Sequence, residues 1–98
     1  MMRTYRMTPE AECDFRSAVR WYRKVRSDLG RRFSIPVLKE LDRIVASPEY
    51  WPIECDDTRR AILDPWPYSI FYRVPTNSIR ITSVIHNSRD PREWMGRT

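Results

Sequence analysis

The residues from which metal sites and membrane spans are built are scarce in this sequence. It contains two cysteines, Cys13 and Cys55, which lack the spacing of metal ligands and have no histidine near them. We expect both to be reduced thiols in a cytoplasmic protein, and we predict no metal and no other cofactor. No stretch approaches the roughly 20 apolar residues of a membrane span. Residues 1–7 carry two arginines and no apolar core, which is unlike a signal peptide, so no membrane contact is predicted.

Acidic residues are outnumbered by basic ones. The 98 residues include 18 lysines and arginines against 13 acidic residues, which gives a formal net charge of +5. A chain of this length predicts a single domain, residues 1–98, with one modest core. The positive charge favours an acidic partner, either nucleic acid or an acidic polypeptide, and does not decide between them. No small-molecule substrate is predicted.

The first third of the chain predicts a short strand and a helix. Residues 3–7 alternate between polar and apolar and predict the strand. Thr8, Pro9 and Glu10 are typical of a helix start, with a hydroxyl N-cap, proline at the first position and an acid in the first turn. Gly30 is predicted to end this helix as the left-handed residue after the C-cap. Apolar residues three and four apart form its buried stripe: Ala11, Phe15, Ala18, Tyr22, Val25 and Leu29.

A second helix and a loop follow. The helix is predicted to start near Arg32 or Phe33, so that Pro36 falls in its first turn; an earlier start would require a kink. It stops before Pro48, and the short connection makes the two helices an antiparallel hairpin. Residues 48–58 have no clean period and predict a loop. The apolar positions of the second helix are Phe33, Val37, Leu41, Ile44 and Val45.

Three further strands are predicted at residues 59–63, 68–74 and 79–86. The loops 64–67 and 75–78 set their register, because a slip of one residue would move every side chain to the other face. This order of elements predicts an α+β fold whose apolar sheet face covers the helices. The predicted pairs on that face are Val74 with Ile79, Tyr72 with Ile81, Ile70 with Ser83, Tyr68 with Ile85, Leu63 with Tyr68 and Ala61 with Ile70.

The opposite face of the sheet is the candidate working surface. It places Arg73 directly across from Arg80, and like charges in that position destabilise a sheet. An anionic partner over the pair would relieve this repulsion; alternatively, both side chains extend into water. The predicted members of this face are Arg60, Ile62, Ser69, Phe71, Arg73, Arg80, Thr82, Val84 and His86.

Residues in a particular order and spacing connect this chain to a known family. They are Trp21-Tyr22, Leu29-Gly30, Phe33, Pro48, Trp51-Pro52, Arg59-Arg60, Pro67-Tyr68, Ile70, Tyr72-Arg73, Val84-Ile85-His86, Arg89, Pro91 and Trp94. With them the chain resembles, over essentially its whole length, the ParE branch of the RelE/ParE superfamily, the toxins of type II toxin–antitoxin modules. Pro36 and Trp66 depart from the family pattern. The resemblance implies an N-terminal strand, an antiparallel helical hairpin, a three-stranded antiparallel meander and a short C-terminal helix.

The resemblance also implies function, in two alternatives. ParE-like members are described as poisoning DNA gyrase by protein–protein contact, which stabilises plasmids and inhibits growth, and RelE-like members as cleaving mRNA on the ribosome. The first is favoured, with an acidic cognate antitoxin as partner. Trp21 is expected at a partner contact or against Trp51, and Trp94 either closes the core edge or contacts the target. The predicted antitoxin- or target-binding residues are Arg60, Phe71, Arg73, Arg80, His86, Arg89, Trp94 and Trp21.

The nuclease alternative needs an acid or base and cations, without a metal. His86 would be the acid or base, Arg60 and Arg73, with Arg80, would hold the phosphate, and Glu49 or Glu54 would assist. The nuclease branch typically has catalytic lysines or a terminal tyrosine near this surface. Here both lysines, Lys24 and Lys39, lie in the predicted helices, and Asn87 follows His86. The arginines of the first helix, Arg16, Arg20, Arg23 and Arg26, are interpreted as its solvated face rather than a nucleic-acid stripe.

Overall fold

Residues 4–98 form a mixed five-stranded sheet with two long helices and one short one. The computed structural model describes residues 4–98, so Arg3, predicted to begin the first strand, lies outside the described residues. The strand order is β1-β5-β4-β3-β2, in which β1 runs parallel to β5 and the other neighbours are antiparallel. The predicted α+β fold is therefore confirmed. The elements are β1 (Tyr5–Met7), α1 (Pro9–Val25), α2 (Leu29–Ala46), β2 (Ile53–Cys55), β3 (Thr58–Ile62), β4 (Tyr68–Arg73), β5 (Ile79–His86) and α3 (Arg92–Met95).

The start of α1 is as predicted, and its end is not. The hydroxyl of Thr8 accepts a hydrogen bond from the Ala11 N–H at 3.1 Å, with Pro9 at the first helical position. The helix ends at Val25, earlier than the predicted end at Gly30. Gly30 lies inside α2, where a Cβ would come within 3.1 Å of the Val19 carbonyl oxygen. Glycine is therefore present for the close approach of two helices, and the prediction that it caps α1 was wrong.

The helix α2 begins at Leu29, so Pro36 lies in its interior and not in its first turn. Proline there removes one backbone hydrogen bond of the helix. The helix continues because its apolar face is packed: Phe33, Val37 and Leu41 are almost completely buried. Tertiary packing, and not local propensity, therefore stabilises this segment.

Residues 48–58 were predicted to be a loop and contain a strand. The strand β2 pairs with β3 through Ile53 with Arg59 and Cys55 with Thr58, with a register shift between the two pairs. Asp56 makes the tight turn with a positive φ of 52°. A strand of three residues with an irregular register has no measurable sequence period, which is why this hairpin was missed. It makes β2 the edge of the sheet.

The sheet register changes within the β4–β5 hairpin. Arg73 faces Arg80 and Tyr72 faces Ile81, as predicted, but Phe71 then faces Ser83. The intervening residue, Thr82, is the extra residue of a β-bulge, and its hydroxyl donates to the Phe71 carbonyl oxygen at 3.3 Å. A bulge of this kind moves the side chains that follow it to the opposite face.

The bulge corrects the predicted faces of the end of β5. Ile70 faces Val84 and Tyr68 faces His86, so the predicted pairs of Ile70 with Ser83 and Tyr68 with Ile85 were wrong. Val84 packs in the core between sheet and helices. Ile85 instead lies in a second apolar cluster on the other face of the sheet, with Phe71 and Trp94.

This second cluster is covered by α3. Trp94 stacks on Phe71 with 4.1 Å between ring centroids and 17° between ring planes. The short C-terminal helix implied by the resemblance is present and begins at Arg92, and the Asp90 carboxylate accepts from the Arg92 N–H at 2.9 Å. Hydrogen bonds from the side chain and the backbone of Arg92 lower the pKa of Asp90. The sheet therefore has apolar packing on both faces.

Tyr72 is expected to make stability fall at high pH. Its buried hydroxyl donates to the Pro48 carbonyl oxygen at 2.7 Å, and burial raises its pKa to about 12. The unfolded pKa is about 10, so this contribution is complete below that pH and is lost as pH rises towards 12. Denaturant unfolding between pH 9 and 11.5 should show a steeper loss in the wild type than in Tyr72→Phe. Exposed Tyr50→Phe should follow the wild type; equal slopes for all three proteins would contradict the prediction.

Candidate functional site

The eight predicted binding residues lie around three cavities rather than on one surface. Arg73 and Arg80 line a cleft of about 440 Å³ at the end of the sheet near the β4–β5 turn. Trp21 lines a cleft of about 390 Å³ between α1 and the far end of β5. The third cavity, of about 70 Å³, lies under α3 and is lined by Arg60, Phe71 and Trp94. His86 and Arg89 line both of the last two cavities.

The Arg73–Arg80 pair predicted across the hairpin is confirmed. The Arg73 Nε donates to the Thr58 hydroxyl at 3.1 Å, and the Arg80 Nη1 donates to a main-chain oxygen of Thr98, the last residue, at 2.8 Å. Sequence reasoning missed a third arginine of this cleft, Arg59. Its position in the predicted strand placed it on the helix face; in the structure its Nη1 donates to the carbonyl oxygens of Glu49 and Trp51, at 3.4 and 2.6 Å. The predicted role of the pair in binding remains a prediction.

Arg60 is held by a polar network on the outer face of the sheet. Its Nε donates to the Ser69 hydroxyl at 2.9 Å, and its two terminal nitrogens donate to Glu54 and Asn87 at 3.2 Å each. The guanidinium also lies 5.6 Å from the centre of the Phe71 ring. All three nitrogens have partners, so the side chain ties β2, β3 and the end of β5 together. Glu54, predicted to assist a nuclease, is the ion-pair partner of this arginine.

His86 faces the helix side of the sheet, and the prediction that it lies on the same face as Arg73 and Arg80 was wrong. The bulge turns its ring edge-on against Tyr68, with centroids 5.2 Å apart. Its Nδ1 accepts from the Ser88 N–H at 3.0 Å. A backbone N–H can only donate, so the neutral ring has its proton on Nε2. Burial raises the pKa of the neighbouring Tyr68 hydroxyl, which stays protonated at neutral pH.

The two tryptophans among the predicted contact residues, Trp94 and Trp21, differ in exposure to solvent. Trp94 is 8% exposed and Phe71 is 2% exposed, so their rings lie within the second cluster. Trp21 is 59% exposed and contacts Tyr22 edge-on. The alternative in which Trp21 packs against Trp51 was wrong, because Trp51 donates to Glu40 and lies against Tyr50. Which of the rings contact a partner remains a prediction.

Comparison with known proteins places this geometry in a family. The model of the ParE toxin of the type II toxin–antitoxin system parDE matches residues 5–91. The chain belongs to the ParE toxin family. A solved structure of a chromosomal ParDE toxin–antitoxin system from P. aeruginosa is similar to it in fold, with a TM-score of 0.77 and 18% sequence identity. The alignment covers 87% of this chain and 96% of the other. A comparison with curated proteins finds no significant match.

In this member of the ParE toxin family, the residues of the nuclease alternative are only partly brought together. Arg60 and His86 line the small cavity under α3, together with Arg89, which is paired with Glu93 at 2.8 Å. Arg73 lines a different cleft. Within residues 4–98 no group of three or more histidine, cysteine, aspartate or glutamate side chains is placed to hold a metal ion. No helix in this part of the chain has the length and apolar character needed to cross a membrane.

Proposed function

We propose that this protein is a cytoplasmic toxin that inhibits DNA gyrase by protein–protein contact and is neutralised by a cognate acidic antitoxin. One observation supports inhibition by contact. The side chains that RNA cleavage would need already make hydrogen bonds within the protein. Arg60 uses all three guanidinium nitrogens within the protein. These hydrogen bonds stabilise the fold and leave the guanidinium few N–H donors for a phosphate.

The acid–base group of the nuclease alternative is also engaged. In the neutral ring of His86 the lone pair of Nδ1 accepts from Ser88, so no ring nitrogen is free to take a proton from a ribose hydroxyl. Both lysines lie on the long helices, Lys24 on α1 and Lys39 on α2. Among residues 4–98, this surface therefore offers a ribosome-bound mRNA no acid–base pair that is free of partners within the protein. The ribonuclease remains the second candidate, because Arg60, His86 and Arg89 line one cavity.

An acidic antitoxin is the partner that fits the charge of this protein. The formal net charge is +5, and Arg73 and Arg80 add a local concentration of positive charge on the sheet. An extended or helical acidic segment that orders on this surface would combine electrostatic steering with coupled folding. The same surface would then be unavailable to the target while the antitoxin is bound.

The target is tested by inducing the protein alone in bacteria and following incorporation of labelled thymidine and labelled methionine during the first minutes. A gyrase inhibitor should reduce thymidine incorporation first, and purified protein should inhibit supercoiling by purified gyrase. An immediate fall in methionine incorporation, with supercoiling unaffected, would reject gyrase and support cleavage of mRNA on the ribosome.

His86→Ala is expected to leave growth inhibition largely intact. The ring contributes an edge-on contact with Tyr68, a kind of interaction that contributes about 0.5–1.5 kcal/mol. The variant should therefore fold with slightly lower stability and still reduce thymidine incorporation. Circular dichroism provides the folding control. The matched change Ser88→Ala removes the exposed hydroxyl beside Nδ1 without removing the ring. Loss of growth inhibition in a normally folded His86→Ala protein would support the nuclease instead.

A further inference from the structure

The α1–β5 cleft, defined by Asp14, Trp21, Tyr68, His86 and Arg89, combines aromatic rings with polar side chains. Its volume of about 390 Å³ lies at the lower end of the range for small-molecule sites. Such sites are lined by ring and apolar surface together with a few convergent polar groups that fix the orientation of the ligand. The composition and size of this cleft therefore suit one small ligand.

A row of aromatic rings leads into the cleft. Trp21 contacts Tyr22 with 5.1 Å between ring centroids, and Tyr22 contacts Tyr68 at 5.9 Å. Tyr68 in turn lies 5.2 Å from His86. The inner part of the row is fixed by packing, since Tyr22 also contacts Phe33 at 5.0 Å. At the outer end the Trp21 indole is 59% exposed, so it presents an open surface on which a planar ligand can stack.

Two charged side chains of the cleft have hydrogen-bonding capacity to spare. Both hydrogen bonds to Asp14, from the Val84 N–H and from Arg97, go to Oδ2, and among residues 4–98 no donor reaches Oδ1. Arg89 uses only Nη1, in its pair with Glu93, so its Nε–H and its Nη2 donors have no partner in the described chain. The cleft thus offers a carboxylate acceptor and part of a guanidinium fork.

Two neutral donors complete the lining. Burial raises the pKa of the Tyr68 hydroxyl, which therefore keeps its proton at neutral pH, although the charge of the nearby Arg89 opposes the rise. The neutral His86 ring has its proton on Nε2, because Nδ1 accepts from the Ser88 N–H. Both groups lie beside the rings, so a ligand that stacks there meets donors as well as a π-surface.

A nucleobase is the kind of ligand that uses the ring surface and the polar groups together. An inorganic oxyanion has no ring to stack on Trp21, and an apolar ring has nothing for Asp14 or Arg89 to bind. Guanine presents two adjacent acceptors, O6 and N7, on one edge and an amino donor at N2 on another. A guanidinium binds the two acceptors, and a carboxylate accepts from the amino group. The charged pair therefore favours guanine over the other bases.

The charges around the cleft favour one nucleotide over a nucleic-acid strand. Lys24 lies three residues after Trp21 on α1, so the two side chains are neighbours on the helix surface. The ion pairs of the described residues do not include Lys24, so its ammonium is available to one phosphate. Asp14 in the lining and Glu93 beside Arg89 would repel the further phosphates of a strand.

We propose that the α1–β5 cleft binds one guanine nucleotide. The base stacks on Trp21, its O6 and N7 accept from Arg89, and its N2 amino group donates to Asp14. The phosphate lies at Lys24. The proposal does not rest on the proposed function, because the ligand is recognised without gyrase, antitoxin or ribosome.

The test is a titration of the full-length, ¹⁵N-labelled protein, followed by NMR at the Trp21 indole N–H and the Arg89 Nε–H. The probes are guanosine, adenosine and cytidine monophosphates (GMP, AMP and CMP), inorganic phosphate, and a short single-stranded oligonucleotide with one guanine. We expect GMP to shift both signals and to bind about ten-fold more tightly than AMP or CMP. Equal binding of the three nucleotides, or equal binding of phosphate and GMP, would overturn the proposal. Tighter binding of the oligonucleotide than of GMP would replace the free nucleotide by a single strand.

Matched variants separate stacking from general attraction. Trp21→Ala should weaken GMP binding about ten-fold, in the range measured when a stacking ring is removed. Trp21→Phe keeps a ring and should bind with intermediate affinity. Tyr50→Ala removes a ring that is 61% exposed and lies outside the cleft, and it should leave the affinity unchanged. Equal affinities of the wild type and Trp21→Ala would contradict stacking on this indole.

The role of Arg89 has its own control in the same segment. Arg89→Gln removes one arginine that is paired with an acid, and Arg92→Gln removes another, paired with Asp90 and outside the cleft. Arg89→Gln should lose most of the preference for GMP over AMP, whereas Arg92→Gln should keep it. The same loss of preference in both variants would reject the contact between Arg89 and the base. The dispersion of the amide spectrum shows whether each variant is folded.

The result can be distinguished from that for the proposed function. Nucleotide affinity is measured on purified protein alone. If GMP binds at the cleft while thymidine incorporation and supercoiling are unaffected, the gyrase proposal fails and the nucleotide proposal stands. If the protein inhibits gyrase while GMP leaves the Trp21 and Arg89 signals unshifted, only the nucleotide proposal is rejected.

Discussion

Trp94→Ala is expected to reduce the free energy of unfolding by about 3–5 kcal/mol, in the range of other large aromatic truncations in cores. Trp94 is almost fully buried and stacks on Phe71, and Ile85 completes the cluster. Removing the indole leaves a cavity on a face where only one short helix covers the sheet. The loss would be a large part of the total stability of a small domain, which is about 5–15 kcal/mol.

Two matched variants make the result specific. Trp21→Ala removes a tryptophan that is 59% exposed and should change stability by less than about 1 kcal/mol. Trp94→Phe keeps a ring over Phe71, so its loss of unfolding free energy should be less than half of the loss in Trp94→Ala. Urea unfolding followed by circular dichroism measures all three. Similar losses for Trp94→Ala and Trp21→Ala would contradict the packing role assigned to α3.

These variants also decide how the toxicity of Trp94 substitutions is to be interpreted. If Trp94→Phe is stable and inhibits growth, loss of growth inhibition in Trp94→Ala results from unfolding of the second cluster. If Trp94→Phe is stable and does not inhibit growth, the indole itself contacts the target. Folding and contact can be separated only in a variant that preserves the ring stack.

Asp14→Ala is the second substitution with a large expected effect, about 2–4 kcal/mol of lost stability. One oxygen of this carboxylate accepts from the Val84 N–H at 3.1 Å and from the Arg97 guanidinium. Arg97 also donates to the Thr82 carbonyl oxygen and the Ser83 hydroxyl. Loss of the carboxylate leaves a partly buried charge and a strand N–H without their partner, and both carry a desolvation cost.

The position of this ion pair explains its expected importance. In the described part of the chain, residues 4–98, β1 pairs with β5 from Ile79 to Ile81, and no described strand lies beside the rest of β5 on that side. Asp14 and Arg97 cover this edge, which would otherwise present unpaired backbone groups. Amide hydrogen exchange at Val84 should therefore become at least ten-fold faster in Asp14→Ala.

A double-mutant cycle gives the matched control. Asp14→Ala combined with Arg97→Ala should cost less than the sum of the two single changes, because the second change removes the charge that the first leaves unpaired. Glu12→Ala, an exposed acidic position on the same helix, should lie within about 0.5 kcal/mol of the wild type. Strict additivity of the Asp14 and Arg97 changes would show that the pair is not coupled.

Local patterns were sufficient for most of the elements. The cap at Thr8 predicted the start of α1, and the spacing of apolar residues predicted its buried face as far as Tyr22. The last two members of the predicted stripe were wrong, because Val25 is 59% exposed and Leu29 begins α2. The four-residue loops predicted the pairs Ala61 with Ile70 and Tyr72 with Ile81. These features depend on residues that are near in sequence or joined by a short turn. The family resemblance, which many residues carry in order along the chain, was also confirmed.

The errors share a different physical cause. Gly30 was assigned to a helix end because glycine is common there, whereas its position is required by the distance between two helices. The β-bulge at Thr82 has no local marker, since its extra residue is stabilised by packing on both faces of the sheet. Because of that one residue, Val84 lies in the core and His86 lies on the helix face of the sheet. A one-residue change of register leaves the fold unchanged but alters which side chains lie together in a candidate site.

The sequence by itself determined the α+β class, the order of the elements other than β2, and the cross-strand arginine pair, because these follow from local spacing, capping and turn length. The family followed from the resemblance carried by residues in order. The tertiary structure decided which side chains share a cavity. It engaged Arg60 and His86 in hydrogen bonds, buried Trp94 under α3, and brought Arg59 to the cleft of Arg73 and Arg80. The physical reason is that contacts between distant segments depend on the packing of whole elements, where one inserted residue or one close helix approach changes the neighbours of every side chain that follows.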